Sequence, residues 1–120
     1  MLINCTNHPS AGWSAAQTEA AAQFGEILDV AFPAVSPAMS TSELSELAEK
    51  TASLLKSHLN DPVNDVVLLM GEMSMTYSLV RRLREAGIRC LATTSERDSS
   101  ETGDGRKLVR FSFVRFREYE

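Results

Sequence analysis

The spacing of hydrophobic and polar residues predicts alternating strands and helices in the first part of the chain. Residues 2–6 form an expected strand that ends in a polar turn. Ser14 and Gln17 have the spacing of a helical capping box, and an alanine-rich helix is expected from there to Gly25. Apolar residues then alternate over residues 26–32, which favours a peripheral strand.

The middle of the chain holds the two clearest elements. Ser40 and Glu43 form a second capping box, and apolar residues at helical spacing continue this helix to about Leu59. The run from Val66 to Met70 is apolar at every position, which is typical of a central strand buried on both faces of a parallel sheet. A third helix is expected from about Ser74 to Ala86.

The last part of the chain predicts two strands separated by a long loop. Residues 88–93 form the fourth expected strand, and the polar, turn-rich segment 94–107 is expected to be a mobile loop. Apolar residues alternate over residues 109–113 and then change phase, so a bulge or sheet edge is expected near Phe113. With no helix before it, this last strand is expected to pair antiparallel to the fourth.

This order of elements predicts a three-layer, Rossmann-like α/β sandwich in which residues 1–120 form a single domain. The amphipathic second strand belongs at the periphery and the fully apolar third strand belongs inside, so we expect a mainly parallel sheet in the order 2-1-3-4-5 with a C-terminal antiparallel edge strand. In that order the winding reverses between the first and third strands. Ligands of open α/β sheets bind beyond the carboxyl ends of the strands at such a reversal.

Composition narrows the classes of partner. The 120 residues include 12 Lys and Arg against 16 Asp and Glu, a net charge of −4 that disfavours duplex DNA. Cys5 and Cys90 lack the spacing of a metal site or a disulfide framework, so both are expected to be core residues in a reducing compartment. There is no secretory signal and no apolar run of about 18 residues, so we expect a cytoplasmic protein without membrane contact, metal or cofactor.

The charge is unevenly distributed along the chain. Residues 1–72 carry 9 acidic and 2 basic side chains, whereas residues 73–120 carry 7 acidic and 10 basic ones. The basic half contains the run Arg81, Arg82 and Arg84 on the third helix, which we expect to be a solvated face. The net charge therefore does not argue against a local anion site, and we expect a homodimer in which the basic half of one copy faces the acidic half of the other.

Polar residues follow three of the strands at the expected ligand edge. Small hydroxyls and backbone amides near two helix N-termini suit an anion, although the spacing matches neither a Walker loop nor a dinucleotide-binding motif. The candidates are Thr6, Asn7, His8, Ser10 and Trp13 after the first strand, Gly71, Glu72, Ser74 and Thr76 after the third, and Thr93, Thr94, Ser95, Glu96 and Arg97 after the fourth.

Each candidate also has a structural interpretation. His8 is a possible general acid or base, or a loop histidine bonded to backbone. Arg97 could bind a phosphate, or form a surface pair with Glu96 or Glu101. Trp13 could stack on a base, or pack over the first helix.

The residues after the third expected strand also have two interpretations. Gly71 would let the backbone approach a ligand, and Glu72 would accept a hydrogen bond from a ribose hydroxyl or a base edge, or simply sit at a helix N-terminus as a favourable carboxylate. Ser10, Ser14 and Ser74 could equally be helix caps.

Three segments carry a resemblance to a known family. LINCTNHPSAGWS, GEMSMTYSLVRRLREAGIRCLATTSER and FSFVRFREYE together resemble small bacterial proteins, and their layout is similar to the CARF domains of type III CRISPR systems. Those domains are Rossmann-like, usually dimeric, and bind cyclic oligoadenylate at the carboxyl ends of their strands. Stand-alone relatives, the ring nucleases, degrade this messenger of antiviral defence without a metal.

The resemblance implies a reaction and roles for individual residues. A ribose 2′-hydroxyl would attack the adjacent phosphorus, with His8 transferring a proton and Ser10, Ser74, Thr94 and Arg97 donating to phosphate oxygens. We therefore expect binding of a cyclic or linear oligonucleotide with possible cleavage. The alternatives are a non-catalytic nucleotide-sensing domain, or a structural or protein-interaction module that uses the last strand as an exposed edge.

Overall fold

Five strands form one mixed sheet, and they are β1 (Leu2–Thr6), β2 (Ile27–Asp29), β3 (Val66–Met70), β4 (Arg89–Glu101) and β5 (Lys107–Glu118). Their order in the sheet is β2-β1-β3-β4-β5. The computed structural model describes residues 1–120, with β1, β2 and β3 pairing in parallel, β4 parallel to β3, and β5 antiparallel to β4. The strand order and the antiparallel edge strand are therefore confirmed.

Three helices cover the two faces of the sheet and give the expected three layers. They are α1 (Ala15–Ala22), α2 (Thr41–Ser57) and α3 (Met73–Glu85), and none is long and apolar enough to cross a bilayer. Alternate residues of the central strands point to opposite sides. Ile3, Cys5, Val67 and Leu69 pack in the core with α2 and α3, whereas Leu2, Val66, Leu68 and Leu91 pack in the smaller core with α1.

Side-chain caps begin the helices where the sequence predicts them, with one shift. Ser14 accepts the Gln17 N–H at the start of α1, and Ser40 and Glu43 complete a reciprocal capping box at the start of α2. α3 begins at Met73, one residue before the expected start near Ser74, and the carboxylate of the preceding Glu72 caps it. β2 is also shorter than expected, since it ends at Asp29.

The prediction of a mobile loop over residues 94–107 is wrong. β4 continues to Glu101 and pairs with β5 from Lys107 onwards, so this segment is a two-stranded ribbon closed by a turn in which Gly105 adopts a φ of +81°. Backbone pairing holds the ribbon, and because both its faces meet solvent, β4 needs no alternating apolar residues there. The ribbon extends the molecule to a radius of gyration of 16.1 Å, against about 14 Å for a compact chain of this length.

A bulge near Phe113 joins the ribbon to the body of the sheet, as the sequence predicts. Thr94 lies opposite Arg115 and Ser95 lies opposite Phe113, so Val114 is an extra residue on β5. The Thr94 hydroxyl donates to the Arg115 carbonyl at 3.0 Å and accepts the Arg115 N–H at 3.2 Å. Thr94 therefore fixes the bulge, and with it the register of the whole ribbon.

Replacing Thr94 with Val should loosen the bulge. The substitution removes both hydrogen bonds to Arg115 and should cost about 1 kcal/mol in the free energy of unfolding, with faster hydrogen exchange at the Arg115 amide. Thr18→Val makes the same change at an exposed position of α1 that has no side-chain hydrogen bond. Equal exchange rates in the wild type and the Thr94 variant would contradict this role.

Candidate functional site

A groove of about 860 Å³ lies over the carboxyl ends of β1, β3 and β4 and continues along one face of the ribbon. This is the position at which the winding of the sheet reverses, where open α/β sheets bind ligands. We call it the aromatic groove. Among its lining residues are Thr6, Asn7, His8 and Trp13 from the β1–α1 connection, Met70 and Gly71 from the end of β3, and Thr93, Ser95, Phe111 and Phe113 from the ribbon.

Aromatic rings form one wall of the groove. Trp13 and Phe113 both pack on Phe116, at ring-centre distances of 6.4 and 5.1 Å, and Phe24 supports Phe116 from the α1 side at 6.4 Å. Phe111 occupies the next position along the same face of β5 and is 71% exposed. Anchored rings beside an exposed one provide a surface on which a flat ligand can stack.

The β1–α1 connection is held by the buried amide of Asn4. Its Nδ2 donates to the His8 carbonyl at 2.9 Å and to Asp29 Oδ1 at 2.8 Å, while its Oδ1 accepts from the Thr6 hydroxyl at 2.8 Å. The Trp13 indole N–H also donates to the His8 carbonyl, at 3.1 Å. The backbone of His8 thus fixes the groove wall and leaves its exposed imidazole free of protein hydrogen bonds.

Asp29 ties the same connection to β2 from outside the groove. It accepts the Ser10 hydroxyl at 2.9 Å and the Ser10 N–H at 3.2 Å, besides the Asn4 amide. Burial raises the pKa of the Asp29 carboxyl, but the hydrogen bonds from Asn4 and Ser10 outweigh it and leave the pKa below its usual value. The Ser10 hydroxyl is therefore engaged in holding the loop.

The N-terminus of α3 is occupied by a carboxylate of the chain itself. Glu72 accepts the N–H groups of Ser74 and Met75 at 3.1 and 2.8 Å, and the Ser74 hydroxyl at 2.7 Å. These hydrogen bonds lower the pKa of Glu72. The structure thus gives both Glu72 and Ser74 the capping interpretation, and a phosphate at this helix end would have to displace the carboxylate.

Gly71 allows a close approach, but the group that approaches is Phe32. A Cβ at Gly71 would lie 2.5 Å from the ring of Phe32, which is itself in the core. The connection between β3 and α3 is therefore packed against the ring on that side. Glycine is needed here for packing, whether or not a ligand touches the backbone from the groove.

The structure brings together some of the candidates and separates others. Thr6, Asn7, His8, Trp13, Gly71, Thr93 and Ser95 line the aromatic groove. Arg97 lies on the same face of the ribbon as Ser95, two residues further along β4 and opposite Phe111. Glu96 and Thr94 belong to the other face. Ser10 bonds Asp29, Ser74 bonds Glu72, and Thr76 lines a different cavity.

Phe111 and Phe113 also line the groove, although the sequence does not predict a ligand-binding role for them. Their alternation marked a strand, but the segment opposite them was expected to be a loop. An apolar strand beside a polar one is the available signal, because the aromatic side chains of such a pair remain on the surface.

The groove carries almost no charge. None of its lining residues is Asp, Glu, Lys or Arg, and His8 is the only one with a titratable ring. Hydroxyl and amide groups face the aromatic wall, and the nearest arginine along the ribbon, Arg97, stands beyond the outer end. Such a site suits a neutral, flat, hydroxyl-bearing group better than a phosphate.

The fold and groove define a Rossmann-like α/β domain with an aromatic, polar site at the winding reversal. The family model described as "Uncharacterized protein MJ1673 family" matches residues 1–117, so the chain belongs to this family. No curated protein and no solved structure matches the chain.

Gly71→Ala should destabilise the protein by about 1–3 kcal/mol, because the new methyl group would overlap a buried ring. Gly12→Ala is a matched control, since its Cβ would meet no atom within 4 Å and neither glycine has a positive φ. Chemical unfolding measures the free energy of unfolding of both variants. In a double-mutant cycle with Phe32→Leu, the cost of Gly71→Ala should fall, and simple additivity would contradict the packing role.

Asp29 should make stability depend on pH. Its folded-state pKa lies below the unfolded value, so its carboxylate stabilises the fold above about pH 4, and this contribution is lost as the pH falls through the folded pKa. Asp29→Ala should therefore cost about 1 kcal/mol at neutral pH and much less near pH 3. Urea unfolding of both proteins at the two pH values measures the difference, and a gap that widens in acid would contradict this account.

Proposed function

We propose that the aromatic groove binds the base and ribose of a cyclic or linear oligonucleotide, and that the chain is a nucleotide-sensing domain. The observation that carries the proposal is the pairing of aromatic rings with hydroxyl and amide groups at the winding reversal. Bases stack on aromatic side chains in a largely sequence-tolerant way. Hydroxyl and amide groups can then read the base edge and the ribose.

The ribbon supplies the part of the site suited to the sugar-phosphate chain. Arg97 projects from the groove face beside Phe111, and it forms no ion pair with Glu96 or Glu101. A base stacked on Phe111 would place its phosphate near this guanidinium, which can bind it in a bidentate manner. The aromatic wall therefore accounts for the base and Arg97 for the charge.

Binding without cleavage fits the geometry better than a ring nuclease. The three candidate catalytic residues occupy different environments: His8 is in the groove, Ser10 is bonded to Asp29, and Arg97 is on the ribbon. The groove lining has no Lys or Arg side chain to stabilise charge that develops on a phosphate oxygen. We therefore assign His8 to ligand contact.

A cytoplasmic location is consistent with the thiols. Cys5 and Cys90 are free and buried. Burial raises the pKa of Cys5 to about 11 and that of Cys90 to about 12, so neither thiol ionises near neutral pH. Both are core residues, as expected from the sequence.

Ligand titration can test the proposal, because Trp13 is the sole tryptophan and lies in the groove wall. Cyclic tetra-adenylate, linear oligoadenylate, AMP and adenosine should each be titrated against Trp13 fluorescence and thermal melting. We expect a saturable change with a raised melting temperature for the oligoadenylates, and intact ligand by chromatography after incubation with EDTA. Cleaved product would replace sensing with nuclease activity. No response to any adenine compound would overturn the proposal. If the unresponsive protein is also oligomeric, the alternative of a protein-interaction module would be favoured.

Variants of the ribbon should separate the base from the phosphate. Phe111→Ala should weaken binding about tenfold for every adenine ligand, by loss of stacking. Leu108→Ala is the control, since Leu108 is an exposed apolar residue on the opposite ribbon face. Arg97→Gln should weaken AMP and oligoadenylate binding and reduce its salt dependence, yet leave adenosine binding unchanged. Equal losses for adenosine and AMP would remove Arg97 from the phosphate site.

A further inference from the structure

A second cavity of about 600 Å³ lies against α3, beside the C-terminal end of β5. It shares only Met70 and Gly71 with the aromatic groove, so the two cavities are separate sites on either side of the end of β3. The lining residues that matter for its chemistry are Met73, Thr76, Tyr77, Arg81, Arg84 and Tyr119.

Two large apolar side chains of α3 that line this cavity are exposed. Met73 is 85% exposed and Tyr77 is 71% exposed, one turn apart on α3. On the opposite side the Tyr119 hydroxyl donates to the Leu69 carbonyl at 2.8 Å, which holds that ring in place. Because Tyr119, Met73 and Tyr77 all line the cavity, a flat apolar group bound there would contact apolar and aromatic side chains.

Arg81 and Arg84 are exposed, as expected for a solvated face of α3, whereas Arg82 is partly buried. Arg82 forms an ion pair with Glu49 at 3.0 Å and donates a hydrogen bond to Ser78. Arg81 makes only a 3.5 Å contact to Glu85. Arg84 makes no ion pair and no side-chain hydrogen bond, and it lines the cavity together with Arg81. Arg81, Arg84 and one acidic residue, Glu120, line the cavity, and Arg84 is the cation without a partner.

Thr76 adds an unsatisfied polar group to this site. Its hydroxyl is buried and has no hydrogen-bond partner in the protein, which is uncommon because an unpaired buried polar atom is costly. Thr76 is among the residues that line the second cavity.

We propose that this cavity binds a small aromatic ligand carrying one anionic group, with its ring against Tyr77 and Met73 and its anion on Arg84. Arg84 is the unpaired cation, the exposed side chains form the apolar surface, and the volume is that of an ordinary small-molecule site. The proposal does not depend on nucleotide binding in the aromatic groove, because different residues carry each site.

The probe 8-anilinonaphthalene-1-sulfonate, an aromatic sulfonate, tests the site in the folded protein. We expect saturable binding with one-to-one stoichiometry, measured by probe fluorescence and calorimetry. Arg84→Gln should weaken it about tenfold by loss of a charge-assisted contact, and Tyr77→Ala should weaken it to a similar extent. The uncharged N-phenyl-1-naphthylamine should respond to Tyr77→Ala but not to Arg84→Gln.

Matched variants locate the bound probe. Arg110→Gln removes an exposed, unpaired arginine from the ribbon and should have no effect. Phe111→Ala alters the aromatic groove and should also have no effect. Equal losses for Arg84→Gln and Arg110→Gln, or loss of binding in Phe111→Ala alone, would overturn the proposal. Thermal melting of each variant must remain cooperative, since this dye also binds partly unfolded protein.

Discussion

The buried side-chain amide of Asn4 is the interaction on which the arrangement of the aromatic groove depends. It lies in a central strand, at the edge where the winding reverses, and it bonds the turn after its own strand as well as the neighbouring strand β2. A buried amide without partners costs free energy, so the turn and Asp29 must stay where they satisfy it. The His8 carbonyl, which accepts from this amide, also accepts the Trp13 indole N–H, so the amide helps to fix the position of the aromatic wall.

Those elements of the fold that bury an apolar face could be predicted from the sequence. The apolar run of β3 and the capping box before α2 agree with the structure because burial and capping are local signals. The ribbon could not be recognised, since residues 95–101 gain only backbone pairs from β5 and remain exposed. A strand that buries nothing leaves no periodicity, and its polar side chains resemble those of a loop.

The same distinction explains which parts of the site could be anticipated. The strand-end rule led to the connection after β1, because parallel strands bring their carboxyl ends to one edge. It could not separate a ligand contact from a cap, and Ser74, Ser10 and Glu72 are engaged within the protein. Nor could it place residues 94–97, whose alternating faces depend on the ribbon. Phe111 and Phe113 enter the groove only because that ribbon exists.

The two cavities differ in the charge of their lining residues, which the net charge of the chain does not show. The aromatic groove excludes charged side chains from its lining, whereas the second cavity presents two arginines beside exposed apolar residues. Only the short connection at Met70 and Gly71 borders both. Phe32 fills the space directly over Gly71, so this connection has little room to move without displacing a ring of the core. Two chemically different cavities can therefore lie back to back across one strand end, because the packing between them is rigid.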